Sequence, residues 1–182
     1  AVMNHQKLSM LLWLIRNEPF ERMIIFGNWK EKNIDLVDHL YEYGIKAELL
    51  SGDIPQAKRL KILEKFKSGE VKIVVATDVA ARGIHIAGIS HVVNYDLPDH
   101  PEDYVHRIGR TARAQRDGVA ITFVSEDEIS SFKQIEKFLG RVVDKNELPE
   151  GLGETPDYNA PRSRGRGGKG RDEKRPRNGS KS

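Results

Sequence analysis

Val71-Lys72-Ile73-Val74-Val75-Ala76-Thr77-Asp78-Val79-Ala80-Ala81-Arg82-Gly83 is the stretch whose reading decides the fold. Its first six residues are β-branched or small apolar apart from one lysine. That composition predicts a strand over 71–76, short and covered on both faces. Polar chemistry then arrives at once, with Thr77, Asp78, Arg82 and Gly83 in quick succession. The segment 77–86 reads as a loop with room for one helical turn.

The same grammar repeats on either side. Apolar residues at helical spacing (Leu8, Leu11, Leu12, Ile15) predict a helix over 7–17, stopped by Pro19. Met23-Ile24-Ile25-Phe26 reads as a buried strand, broken by Gly27 and Asn28. Helical period returns over 33–43, and a short strand follows over 46–50. Pro55 opens a helix expected to turn Leu60, Leu63 and Phe66 inward and to end at Gly69. Strands over 91–95 and 119–124 flank a helix over 102–108, and a last helix is expected over 126–139. Strands alternating with helices predict an α/β fold: a mainly parallel sheet with helices on both faces. In such sheets ligands collect beyond the carboxyl ends of the strands, so the loops after Phe26, Leu50, Ala76, Tyr95 and Val124 matter most.

Composition bounds the rest. The chain has 182 residues and no cysteine, which excludes disulfides and thiolate metal sites and fits a reducing, cytoplasmic setting. Apolar runs such as 10–15 are far too short for a membrane span. The net charge of +3 is uneven. From Gly151 onward there are nine basic residues against four acidic ones, net +5, which leaves −2 on the remainder. The domain boundary is therefore set at 1–150. A basic Arg/Gly-rich tail over 151–182, whose stretch 162–171 has no apolar side chain to bury, is expected to be disordered and to suit a polyanion.

Three clusters carry candidate chemistry. The first is His106-Arg107-Ile108-Gly109-Arg110-Thr111-Ala112-Arg113. Arginine is permanently charged and its fork matches phosphate oxygens; on a helix Arg107, Arg110 and Arg113 fall at spacings of three. The alternative is a solvated basic face. In the second, Thr77 can donate to a phosphate, Gly83 can let backbone amides approach one, and Asp78 can hold an arginine; the same residues would equally make a polar loop with a helix cap at Thr77 or Asp78. In the third, Gln56 and Arg59 follow Ser51-Gly52-Asp53 on the first turns of a helix, either near a phosphate backbone or as ordinary surface residues.

Taken together these segments, with Ile24-Ile25-Phe26 and Asn94-Tyr95-Asp96-Leu97-Pro98, resemble the second RecA-like domain of the DEAD-box RNA helicases of superfamily 2, over about 7–139. Within that family the chain is similar to the bacterial helicases of the RNA-degrading machinery. The resemblance implies a RecA-like three-layer sandwich. It implies that Arg110 and Arg113 are catalytic arginine fingers for ATP and that Gly83 and His85 line the nucleotide cleft. Gly52, Gln56, Arg59 and Thr77 would contact RNA phosphates, and Asp78, His106 and Arg107 would tie this domain to its N-terminal partner. His85 stands where the family usually has Asp, Ala112 replaces a commoner Gly, and Trp29 stands where a small polar residue is common. Trp29 is either a stacking platform or packed, and packing is the expectation. No Gly-x-x-x-x-Gly-Lys-[Ser/Thr] stretch and no Asp-Glu-Ala-Asp occurs. The phosphate loop and the Mg²⁺ ligands would belong to an N-terminal RecA-like domain, so the chain reads as the C-terminal half of an ATP-dependent RNA helicase that hydrolyses no ATP by itself. Expected partners are single-stranded RNA, that N-terminal domain and an RNA-degrading ribonuclease complex. The rivals are a stand-alone RNA-binding module and a DNA-directed relative.

Overall fold

The computed structural model describes residues 1–83, 88–111 and 118–159. Helix α1 (Lys7–Asn17) leads into β1 (Met23–Phe26), α2 (Lys30–Glu42) and β2 (Glu48–Leu50). Then follow α3 (Gln56–Ser68), β3 (Ile73–Ala76), the single turn α4 (Asp78–Ala81) and β4 (His91–Asn94). The chain closes with α5 (Pro101–Ile108), β5 (Val119–Thr122) and α6 (Ile129–Leu139). The strands form one sheet in the order β2-β3-β1-β4-β5. Every pair is parallel.

β1 lies in the middle and is apolar at all four positions, as a strand covered on both faces must be. Its side chains alternate between two cores. Met23 and Ile25 join Leu11 and Leu14 of α1 and Leu36 and Leu40 of α2 on one face. Ile24 and Phe26 join Ile62 and Phe66 of α3, with Ala80 and Ala81 of α4, on the other. A third cluster, built on Tyr104, Phe132 and Ile135, packs α5 against α6. Sheet and two helical layers make the three-layer α/β sandwich.

Three details differ from the sequence expectation. Leu60 is 51% exposed. The inward face of α3 is set by Ile62 and Phe66, and Leu60 lies two residues before Ile62, about 200° around the helix. The last helix begins at Ile129, because Ser125 and Glu128 close a reciprocal capping box over a 3₁₀ turn at Glu126–Glu128. The folded unit also runs past 150. Gln6 donates to the carbonyls of Leu152 at 2.9 Å and Glu154 at 3.2 Å. The Tyr158 ring meets Phe132 edge-on at 6.4 Å, and its hydroxyl donates to Glu136 at 2.7 Å. Tail composition hid this, because a single tyrosine and two backbone carbonyls suffice to pin the segment. The remaining tail, 160–182, lies outside the described residues.

Candidate nucleotide and nucleic-acid interface

Parallel pairing places the loops that matter along one rim. Leu50 pairs with Ala76, Ala76 with Phe26, Phe26 with Asn94 and Asn94 with Thr122. The strands of the whole sheet thus end in line, and the loops after all five leave from the same edge. From β1 the chain moves outward to β2, whereas from β3 it crosses to β4 on the opposite side. The crevice between the ends of β1 and β4 is the topological switch point, where α/β sheets take ligands.

Here an arginine fills that crevice. Arg107 of α5 is 1% exposed and bonds through all its donor nitrogens. Nε and Nη2 grip both oxygens of Asp78 at 2.7 and 2.6 Å. Nη1 reaches the Asp96 carbonyl at 2.7 Å and Asn94 Oδ1 at 3.3 Å, and Nη2 also reaches Asn28 Oδ1 at 2.8 Å. The guanidinium lies 5.0 Å from the centre of the Phe26 ring. Asn28 stitches the two loops together as well: its amide donates to Asp96 Oδ2 at 3.0 Å and its side chain to the Leu97 carbonyl at 2.7 Å. One residue from α5 therefore joins the ends of β1 and β4 and the start of α4. The resemblance gave Arg107 a part in tying this domain to its N-terminal partner; within this lobe its donors are engaged by Asp78, Asn94, Asp96 and Asn28. Asp78 does hold an arginine, and that arginine is Arg107.

Over this hub lies a small recess lined by Phe26, Asp78, Arg82, Asp103, His106 and Arg110. Arg82 and His106 are exposed and Arg110 half-exposed. Arg110 follows the Gly109 cap of α5, and its amide donates back to the Arg107 carbonyl at 3.1 Å. Two arginines and a histidine line this recess together with Asp103 and with Asp78, which is bidentate to Arg107, and guanidinium groups so gathered suit a phosphate group. His85 and Arg113 lie outside the described residues.

The neighbouring stretch of rim carries the second set. Thr77 caps α4, its hydroxyl accepting from the Ala80 amide at 3.4 Å. Arg59 bridges α3 and α4 by donating from Nη2 to the carbonyls of Ala80 at 2.5 Å and Arg82 at 3.4 Å. That nitrogen is engaged by protein, so Arg59 orders the turn under the rim as well as bordering it. Gly52 and Gln56 are exposed. A Cβ on Gly52 would sit 3.8 Å from Val79, so the turn after β2 lies against α4. Lys30 pairs with Asp53, whose carboxyl is held down at about 2 by Lys30 first and then by the Ser51 hydroxyl. Gly83 has φ +76°, a conformation that keeps side chains other than glycine's away. Trp29, expected to pack, is 61% exposed. It is the N-cap residue of α2, where the chain enters the helix from an extended conformation, and it belongs to none of the three clusters described above.

Asn28, Arg82, Asn94 and Asp96 received no role from the sequence. Three of them stand at strand ends, and a polar residue closing an apolar strand was the available signal.

A parallel sheet of this order, with cationic groups gathered at its carboxyl rim, defines a RecA-like α/β lobe. Residues 6–115 match the helicase conserved C-terminal domain, and the chain belongs to that family. It is 48% identical over 143 residues to an ATP-dependent RNA helicase RhlB of Pseudomonas syringae pv. tomato, covering 79% of this chain and 36% of that protein. Against RhlB of Pasteurella multocida it is 48% identical over 140 residues, with coverages of 77% and 33%. The chain thus spans about a third of the length of the curated relatives it matches. Among solved structures, the Escherichia coli DEAD-box protein SrmB bound to regulator of ribonuclease activity A superposes with TM-score 0.73 at 35% identity, over 82% of this chain and 93% of that one. Saccharomyces cerevisiae Dbp5 bound to RNA and ADP BeF3 superposes with TM-score 0.74 at 34% identity, over 79% and 38%.

Proposed function

We propose that this chain is the C-terminal lobe of an ATP-dependent RNA helicase. It completes an ATP site and an RNA path whose other halves lie on an N-terminal RecA-like lobe. The observation that carries this reading is the recess of Arg82, His106 and Arg110 seated on the Arg107–Asp78 hub. It is cationic, and its floor is rigid, as a terminal-phosphate site requires. The Mg²⁺ ligands are assigned to the N-terminal lobe on the family resemblance, since this sequence contains neither a Gly-x-x-x-x-Gly-Lys-[Ser/Thr] stretch nor an Asp-Glu-Ala-Asp.

The two lobes would close on ATP and single-stranded RNA together, and ATP would supply the phosphoryl-transfer chemistry in the closed site. Arg110, with Arg113 three residues on, stabilises charge developing on the γ-phosphate. Arg107 and Asp78 keep the end of α5 fixed relative to the sheet, so that Arg110 arrives in one orientation. His106 faces the joint between the lobes. Gly83 and His85 border the nucleotide. Gly52, Gln56, Arg59 and Thr77 follow the RNA backbone, which positions single strands without reading sequence. We place the helicase in the cytoplasm beside an RNA-degrading ribonuclease complex, on its resemblance to bacterial helicases of that machinery.

The test is reconstitution. The chain alone turns over no ATP, and joining it to the N-terminal lobe gives RNA-stimulated hydrolysis. In the joined enzyme Arg110→Ala lowers turnover by about 10³-fold or more, the scale set by arginine fingers. Turnover by the chain alone at the joined rate, or an unchanged rate in R110A, defeats the assignment.

A further inference from the structure

Trp29 is the feature of the rim that the lobe itself does not use. It stands three residues after the end of β1, the central strand, and the next residue, Lys30, pairs with Asp53 of the turn after β2. Helix N-caps favour Ser, Thr, Asp or Asn because a short side chain can accept from the first free amides. Trp29 supplies no such bond. Among the described residues its indole has no hydrogen bond and no ring contact, yet it is 61% exposed. Burial would remove far more apolar area from water, so the fold forgoes a contribution that a packed indole would make.

The backbone that carries it is held on both sides. Asn28 is bonded to Asp96, Leu97 and Arg107. Lys30 is bonded to Asp53 across the rim. The indole is thus exposed on a stretch of chain whose flanking residues are engaged with the rest of the rim. It also stands where the positive ends of two thirteen-residue helices, α2 and α3, open onto the same rim. The surroundings are thus suited to phosphates, while the indole is suited to a flat, apolar face.

We propose that Trp29 stacks on a nucleobase of single-stranded RNA whose backbone passes Gly52, Gln56 and Thr77. This deepens the helicase reading and rests on it. Backbone contacts alone hold RNA by charge; a stacked base adds a salt-insensitive contribution and fixes the register of one nucleotide against the lobe. Every base offers a π-face, so the contact tolerates all four and adds no strong sequence preference.

The experiment measures binding of a fluorescently labelled oligouridine to the chain joined to its N-terminal lobe, by anisotropy over a range of salt. A second oligonucleotide of the same length carries abasic residues throughout its centre. Trp29→Ala is expected to weaken binding of the intact oligonucleotide on the order of ten- to a hundred-fold with the salt slope unchanged. Trp29→Phe retains most of the affinity. The abasic oligonucleotide binds the unsubstituted protein as weakly as the intact one binds W29A, and W29A does not distinguish the two. If W29A binds the intact oligonucleotide like the unsubstituted protein, or loses the intact and abasic forms equally, the stacking inference is overturned while the helicase reading stands. If the unsubstituted joined protein binds neither oligonucleotide, the helicase reading falls and the inference with it.

Discussion

Replacing Arg107 with alanine tests the hub directly. The side chain is buried, and its five bonds reach four residues on β4, on α4 and on the loops that follow β1 and β4. Removal affects these partners unequally. The Asp78 carboxylate keeps 28% of its side-chain surface in water and recovers hydration. Asn94 is fully buried and does not. A buried acceptor left without a partner costs about 1–3 kcal/mol, and breaking a buried ion pair from one side costs about 3–5 kcal/mol in all. We expect a loss in that range, a large part of the roughly 5–15 kcal/mol that holds a typical domain. At about 2–4 °C per kcal/mol for a domain of this size, the melting temperature falls by about 6–20 °C. Urea unfolding of the full chain followed by circular dichroism measures this. Asp78→Asn also destabilises, because it leaves the buried guanidinium without its counter-ion while its bonds to Asn94, Asp96 and Asn28 remain. The R107A/D78N double variant then loses less than the sum of the two, since both remove one interaction. Arg107→Lys falls between, having three donors and no fork. A loss below about 1 kcal/mol for R107A, with an unchanged denaturant slope, would refute the claim that this network fastens the strand ends.

Two further outcomes follow from the geometry. A Cβ on Gly27 would lie 1.8 Å from Oδ1 of Asn33, a buried amide that donates to the Gly27 carbonyl at 3.2 Å; Gly27→Ala should cost about 1–3 kcal/mol by overpacking, read as a lower urea midpoint. Burial alone would raise the Glu128 carboxyl, but the Ser125 amide and the Lys7 ammonium outweigh it and hold the group below its usual range near 4.5. A carboxyl depressed in the folded state contributes stability above its unfolded pKa and loses it as pH falls through the folded one. Stability should therefore decline as pH drops below about 4.5, and Glu128→Gln should flatten that decline; an identical pH profile for the variant would count against the pairing.

Much of the lobe was legible because its signals are local. β1 and α1 were bounded at the observed residues, since an apolar run between breakers and an unbroken helical period need no outside information. The α/β class followed from their alternation. Thr77 and Asp78 were open between a phosphate loop and a helix start; the structure makes Thr77 the cap of α4 and gives Asp78 to Arg107.

What the chain determined by itself was the order of strands and helices and the chemistry collected after each strand, because period and composition act over a few residues. Only tertiary structure decided how equivalent residues divide their roles. Arg107 and Arg110 stand one helical turn apart, yet one is the buried fastening of the sheet and the other lines the open recess. The difference comes from Asn28, 79 positions before Arg107 in the chain, and from Asp78 and Asn94, which parallel pairing brings under α5. Trp29 was likewise settled by the fold, which leaves it 61% exposed. Burial is a property of neighbours, and neighbours distant in sequence are supplied by the fold.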